Sequence, residues 1–279
     1  MAFDANRSDL TLGVLGAGAM GRGIVQVAVS GGMNVLMMDS QPGAAQAARE
    51  FVAKMLERAA EKGSMSASDA AAAVARIKIV NGLADFKPCH VVIEAVVENL
   101  EVKRQVFGEL EGIVAADCIL ASNTSSLSVT TIAAKLKVPQ RVAGFHFFNP
   151  VPLMRLAEVI SGLLTEEWVC DALTAIGRRM GREPVRCSDA PGFLVNQVGR
   201  GYTLEAAHLV YEGISNFVDV DRVMRDVGGF RMGPFELMEL TGLDVTHPAS
   251  ELIYNQFFQE PRYRPSLIMR ARTEAGVLG

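Results

Sequence analysis

The chain has 279 residues, 49% of them hydrophobic and 21% charged. That is enough apolar material for one large domain or two ordinary ones, and it excludes a disordered tail. With 27 Lys plus Arg against 31 Asp plus Glu, the net charge of −4 argues against a protein that chiefly holds nucleic acid or an anionic membrane surface.

No apolar run approaches the ~18 residues of a membrane span, and the start MAFDANRSDL lacks the basic-then-apolar order of a signal peptide. Cys89, Cys118, Cys170 and Cys187 form no CxxC pair, as expected for reduced, buried thiols in a cytoplasmic protein. Four histidines are too few for clustered zinc ligation, so no metal site is expected.

In chain order, Thr11–Leu15, Val35–Met38, Ile77–Val80, Val91–Ala95, Cys118–Ala121 and Arg141–Phe145 are short runs predicted as strands. They are mostly apolar throughout rather than alternating, and helical stretches separate them. That pattern predicts a parallel sheet covered on both faces, an α/β doubly wound fold. The connection from Pro42 to Arg76 carries two helical stretches broken near Lys62-Gly63-Ser64, which predicts a helical hairpin inserted after the second strand. From Pro191 onward the periodicity is helical, through Gly192–Val210, Asp219–Val227, Phe235–Leu240 and His247–Phe258. The expected division is therefore a nucleotide-binding domain over residues 1–188 and an all-α domain over 189–279.

Gly16-Ala17-Gly18-Ala19-Met20-Gly21 is a GxGxxG motif directly after the first predicted strand. There the first glycine permits the turn, the second admits a pyrophosphate, and the third lets helix pack on strand. Asp39 ends the second predicted strand, 23 residues past Gly16, where a carboxylate accepts the ribose hydroxyls of an adenosine. An acid repels a 2′-phosphate, and Ser40-Gln41-Pro42 offers no base, so the expected cofactor is NAD rather than NADP.

A nicotinamide cofactor calls for hydride transfer and a base to take the hydroxyl proton. His146 follows the strand Arg141–Phe145, at the carboxyl edge where doubly wound sheets bind ligands. Glu158, twelve residues later, is a carboxylate in the apolar stretch Leu153–Ile160, and His146 is a suitable partner for it. His90, His208 and His247 are expected to be structural, His247 near a helix start. Ser122-Asn123-Thr124-Ser125-Ser126 follows another strand, where small polar groups hold a substrate carbonyl or cap the next helix. Lys54, Arg58 and Lys62 share one helix face and could meet substrate phosphates, but the spacing by itself favours a solvated face with a Glu50–Lys54 ion pair.

Six segments, in order, resemble the L-3-hydroxyacyl-CoA dehydrogenases of fatty-acid and aromatic-acid breakdown. They are GAGAMG at 16–21, VIEAVVEN at 92–99, SNTSSL at 122–127, HFFNPVPLMRLAEV at 146–159, PGFLVN at 191–196, and MGPFEL with TGLD at 232–244. The resemblance implies a Rossmann domain and a helical C-terminal domain that forms a homodimer, with the active site in the cleft between domains. By motif, His146 resembles the catalytic base, Glu158 its orienting partner, and Ser125 and Asn196 the groups that bond the reacting oxygen. Asp39, Glu98, Lys103, Asn123, Ser125 and Asn149 resemble cofactor contacts beside the glycine loop, and Lys62 a contact to the CoA phosphates. Four departures stand out. Met55 occupies the place of a CoA-binding serine, Gln197 that of an arginine, and Arg231 is an added charge. The family also continues into a basic, Gly-rich closing segment, which the helical domain is expected to lack. The rival expectations are a relative acting on a free hydroxy acid, as the crystallin-like gulonate dehydrogenases do, and an inactive dinucleotide-binding protein.

Overall fold

The computed structural model describes residues 3–279. They form two compact units, one ending at Ala190 and the other spanning Pro191–Gly279.

The first unit is built on one sheet. Its strands are β1 (Thr11–Leu15), β2 (Asn34–Met38), β3 (Ile77–Ile79), β4 (Val91–Glu94), β5 (Ile119–Ser122), β6 (Val142–Phe147), β7 (Leu156–Ser161) and β8 (Glu183–Ser188). They lie in the order β3-β2-β1-β4-β5-β6-β7-β8. The first six are all parallel. Every residue of β4, β5 and β6 is buried, as expected where helices cover both faces. Those helices include α1 (Ala19–Ser30), α2 (Ala44–Glu61), α3 (Ala67–Ala75), α4 (Leu100–Glu111), α5 (Val129–Ala133) and α6 (Glu167–Arg179). The pair α2 and α3 is the inserted hairpin; Gly63, at φ +73°, follows α2, and the Ser66 hydroxyl caps α3.

The doubly wound expectation gains two strands. β7 runs antiparallel to β6, and β8 runs parallel to β7 at the sheet edge. The sequence hid both. Glu158 interrupts the apolar run of β7, and β8 carries Glu183, Pro184 and Arg186, a composition tolerated at an edge.

The second unit contains α7 (Val195–Tyr211), α8 (Phe217–Asp226), α9 (Pro234–Thr241), α10 (Leu243–Gln256) and α11 (Leu267–Glu274), with no strand among the described residues. Leu204, Ala207, Met238, Leu243 and Met269 form its buried cluster, against which Phe235 packs. Helix α10 starts four residues before His247, so that histidine and Pro248 stand inside the helix rather than at its beginning. His247 is buried, with Nε2 3.5 Å from Glu251.

Candidate active site

The three glycines of the 16–21 turn are required for three different reasons. Gly16 has φ +101° and donates its amide to the Met38 carbonyl at 2.8 Å, tying the turn to β2. A Cβ on Gly21 would stand 1.8 Å from the Gly16 carbonyl oxygen, so close packing of α1 demands glycine there. A Cβ on Gly18 would meet nothing within 4 Å. Gly18 is instead the N-cap of α1, without a side-chain cap, and the amides of Ala19 and Met20 open the helix there. Asp39 buttresses the turn: its carboxylate accepts from Ala17 N at 2.6 Å and Gln41 N at 2.8 Å. Each oxygen retains a further lone pair. The neighbouring Ser40, Gln41 and Pro42 are exposed and uncharged.

Between β4 and β5 lies a buried ionic network. Glu94 is fully buried and accepts from Val96 N, the Ser122 hydroxyl and Lys103 Nζ, the last at 2.6 Å. Lys103 is only 1% exposed, and its ammonium also lies 3.2 Å from Glu98. Its nitrogen is thus engaged between two carboxylates. One Glu98 oxygen accepts from the Thr124 hydroxyl, the amides of Ser125 and Ser126, and the Ser126 hydroxyl. Burial pushes the Glu98 pKa up, but the Thr124 hydroxyl, Lys103 and Ser126 outweigh it and hold the carboxyl below its ordinary value. The result is a rigid 122–126 turn with the Ser125 side chain exposed. Asn123 accepts from Phe147 N at 2.9 Å, which locks this turn to β6.

Helix α5 begins in the same region. Asp189 accepts from Val129 N, Thr130 N and the Ser128 hydroxyl. This bonding holds Asp189 in the first unit, although the sequence places the division after Ser188.

His146 and Glu158 face each other across the antiparallel pair β6–β7 in direct register. Nδ1 lies 2.6 Å from Glu158 Oε2; Glu158 is fully buried and His146 is 6% exposed. The ring of Phe148 covers the imidazole at 4.5 Å. With Nδ1 committed to Glu158, proton exchange at this imidazole runs through Nε2.

Asn149 follows on the exposed end of this segment. Nearby, a cavity of about 430 Å³ is lined by Arg22, Phe51, Met55, Arg58, Lys62 and the turn Asn149–Leu153. Arg22 stacks over the Phe51 ring at 4.0 Å. Lys54 instead lines a different groove, between α2 and α3, and Glu50 accepts from Gln46 at 2.7 Å. Four-residue steps drift about 40° around a helix, which separates Lys54 from Lys62.

In the second unit, Asn196 lies half-buried in the first turn of α7. Gln197, where the family pattern has arginine, donates to the Tyr263 hydroxyl at 3.0 Å. Arg231 is exposed beside Phe230, which stacks on Tyr202 at 4.7 Å. His90 Nδ1 accepts from Thr11 N, and His208 Nε2 lies 3.2 Å from the Arg264 carbonyl, both backbone ties. Sequence reasoning missed Glu94 and Asp189. Glu94 had a signal, a lone carboxylate ending an apolar strand, whereas the partners of Asp189 lie some 60 residues away.

Among the described residues no helix is long and apolar enough to cross a membrane, and no group of three or more His, Cys, Asp or Glu residues is placed to hold a metal ion. Two family profiles match the chain. One described as "3-hydroxyacyl-CoA dehydrogenase, NAD binding domain" covers residues 11–190, and the corresponding C-terminal domain covers 192–279. The chain is 39% identical over 269 residues to the 3-hydroxyadipyl-CoA dehydrogenase of Escherichia coli K12, spanning 96% of this chain and 57% of that protein. It is 40% identical over 266 residues to a probable 3-hydroxybutyryl-CoA dehydrogenase of Bacillus subtilis, spanning 95% of this chain and 92% of that one. The crystal structure of (S)-3-hydroxybutyryl-CoA dehydrogenase from Ralstonia eutropha superposes with a TM-score of 0.92 at 38% identity, covering 98% of this chain and 96% of the other.

Proposed function

The chain belongs to the 3-hydroxyacyl-CoA dehydrogenase family, with that family's NAD-binding domain at its N-terminal end, and on that premise we propose that it interconverts (S)-3-hydroxyacyl-CoA and 3-oxoacyl-CoA. The observation that carries this reading is the buried His146–Glu158 pair, at the sheet edge that also bears the glycine turn.

NAD supplies the hydride acceptor for C3. The residues of the first unit fit it: open space at Gly18, amides at the start of α1, and Asp39 beside an uncharged turn that offers a 2′-phosphate nothing. His146 Nε2 takes the C3 hydroxyl proton as the hydride leaves, which makes the imidazole cationic. Glu158, fully desolvated at 2.6 Å, stabilises that cation and fixes the ring tautomer. In the reverse direction the same nitrogen returns the proton to the 3-oxo oxygen. Ser125 and Asn196 hydrogen-bond the reacting oxygen and stabilise the charge it carries while only partly protonated. Ser125, Asn123, Asn149 and Glu98 contact the cofactor, and Lys103 acts by holding Glu98.

The cavity of Arg22, Arg58 and Lys62 favours a phosphorylated carrier over a free hydroxy acid, so the substrates are acyl-CoA esters. The helical unit forms the homodimer, and the enzyme works in the cytoplasm. Purified protein with NADH and acetoacetyl-CoA should lose absorbance at the reduced-nicotinamide band. Turnover of a free keto acid without turnover of any 3-oxoacyl-CoA would overturn the assignment.

A further inference from the structure

Arg200 lies on α7 one turn beyond Asn196. Its Nε donates to the Asn196 carbonyl at 3.2 Å, and its Nη1 donates to the Thr246 carbonyl at 3.0 Å and the Ser250 hydroxyl at 2.9 Å. Among the described residues no carboxylate pairs with it. Burial alone moves its pKa, downward from the ordinary guanidinium value. Four of the seven other arginines of this unit have acids to hand: Arg222 with Asp219, Arg225 with Glu236, Arg262 with Glu260, Arg270 with Glu274.

Nor does Arg200 serve the backbone as Arg179 does. Arg179 satisfies the loop carbonyls of Ala5, Arg7, Gly31 and Gly32. The carbonyls that Arg200 touches sit inside α7 and α10, where helical amides already satisfy them, and Thr246 also accepts from the Ser250 hydroxyl at 2.8 Å. A desolvated cation without an acid is costly, and here its orientation is fixed by three acceptors. Its Nη2 makes no hydrogen bond and is not sealed from solvent. A guanidinium held this way has Nε and Nη1 committed and offers the two N–H donors of Nη2 to an anion.

We propose that Arg200 binds a carboxylate at the far end of the acyl chain, making dicarboxylic 3-hydroxyacyl-CoA esters the preferred substrate class. The proposal rests on the acyl-CoA reading above, with Asn196 at the reacting oxygen. The guanidinium stands close to Asn196: helix side chains run back toward the N-terminus, and the Nε bond sets it level with the Asn196 turn. In a six-carbon diacid, three C–C bonds of about 1.5 Å separate C3 from C6, so the terminal oxygens lie roughly 5 Å from C3 when extended.

The test compares kcat/KM for 3-oxoadipyl-CoA and 3-oxohexanoyl-CoA, which share chain length and carrier and differ only in the terminal carboxylate. The native enzyme should favour the dicarboxylic substrate by about 10- to 100-fold. Arg200→Met should lower the ratio to near one, and Arg200→Lys should fall between, having kept the charge and lost the fixed Nη2 donors. A native ratio of one or below overturns the proposal, whether or not the variants fold. So does an equal loss on both substrates in Arg200→Met, the outcome expected if the guanidinium meets a phosphate of the carrier. Turnover of neither substrate would instead defeat the acyl-CoA reading itself.

Discussion

Glu158 stands directly across the sheet from His146, because β6 and β7 run antiparallel in a register that also pairs Gly144 with Ile160 and Phe147 with Ala157. The ladder therefore sets the 2.6 Å contact between Nδ1 and Oε2, and no flexible loop is involved. A slip of one residue would turn Glu158 to the opposite face of the sheet. The pair is preorganised by backbone hydrogen bonds, which is what the proposed role of His146 as a general base with a fixed tautomer requires.

The glycine turn separates folding from binding. Gly18→Ala should leave stability within about 0.5 kcal/mol, since the new methyl group meets no protein atom. It should weaken NAD binding at least about tenfold, or ~1.4 kcal/mol. Gly21→Ala should destabilise by about 3 kcal/mol or more through the clash with the Gly16 carbonyl. Thermal melting and calorimetric titration with NADH give both quantities. Unchanged affinity in Gly18→Ala would mean that the cofactor does not approach there.

Asp39 buttresses the turn and is proposed to select the cofactor, so two substitutions divide these roles. Asp39→Asn keeps an oxygen able to accept from Ala17 N but loses the charge. It should raise the KM for NAD and narrow the preference over NADP by about tenfold, with a small change in melting temperature. Asp39→Ala should also loosen the turn. If the NAD/NADP ratio of kcat/KM is the same in all three proteins, the carboxylate is not what excludes the 2′-phosphate.

Lys103 carries the buried network. Lys103→Met leaves Glu94 charged and without its cation, at an expected cost of about 3–5 kcal/mol in urea unfolding. Adding Glu94→Gln should recover a large part of that loss, because the uncompensated charge is gone. Simple additivity of the two losses would show that the pair is not coupled.

Glu98 gives this network a pH signature. Its native carboxyl lies below the ordinary value of 4.5. The stabilisation it provides is therefore complete above that pH and is lost as the pH falls through the native pKa. The melting-temperature gap between the native protein and Glu98→Gln should be widest near neutrality and shrink as the pH falls below the ordinary carboxyl value toward the native pKa. A gap independent of pH would contradict the assignment.

Much of this was legible in the residues. Six strands, the hairpin and the helical second unit follow from hydrophobic periodicity and turn residues, and the glycine turn from spacing alone. The lone carboxylate in an apolar stretch and the resemblance both linked Glu158 to His146, but their mechanical connection was hidden, because β7 contains a charge and its pairing with β6 is a tertiary event. Lys103 shows the opposite limit. Its motif suggests a cofactor contact, whereas its burial between Glu94 and Glu98 makes it a support, and no local pattern distinguishes the two.

The most direct test of the central claim is the rate of NADH oxidation with acetoacetyl-CoA in the native enzyme and in His146→Gln, with NADH affinity measured on both. The expected result is turnover in the native enzyme, a kcat lower by about 10²- to 10⁴-fold in the variant, and nearly equal NADH binding. Full turnover in His146→Gln, or a parallel collapse of NADH binding and rate, would contradict the role of His146 as the base.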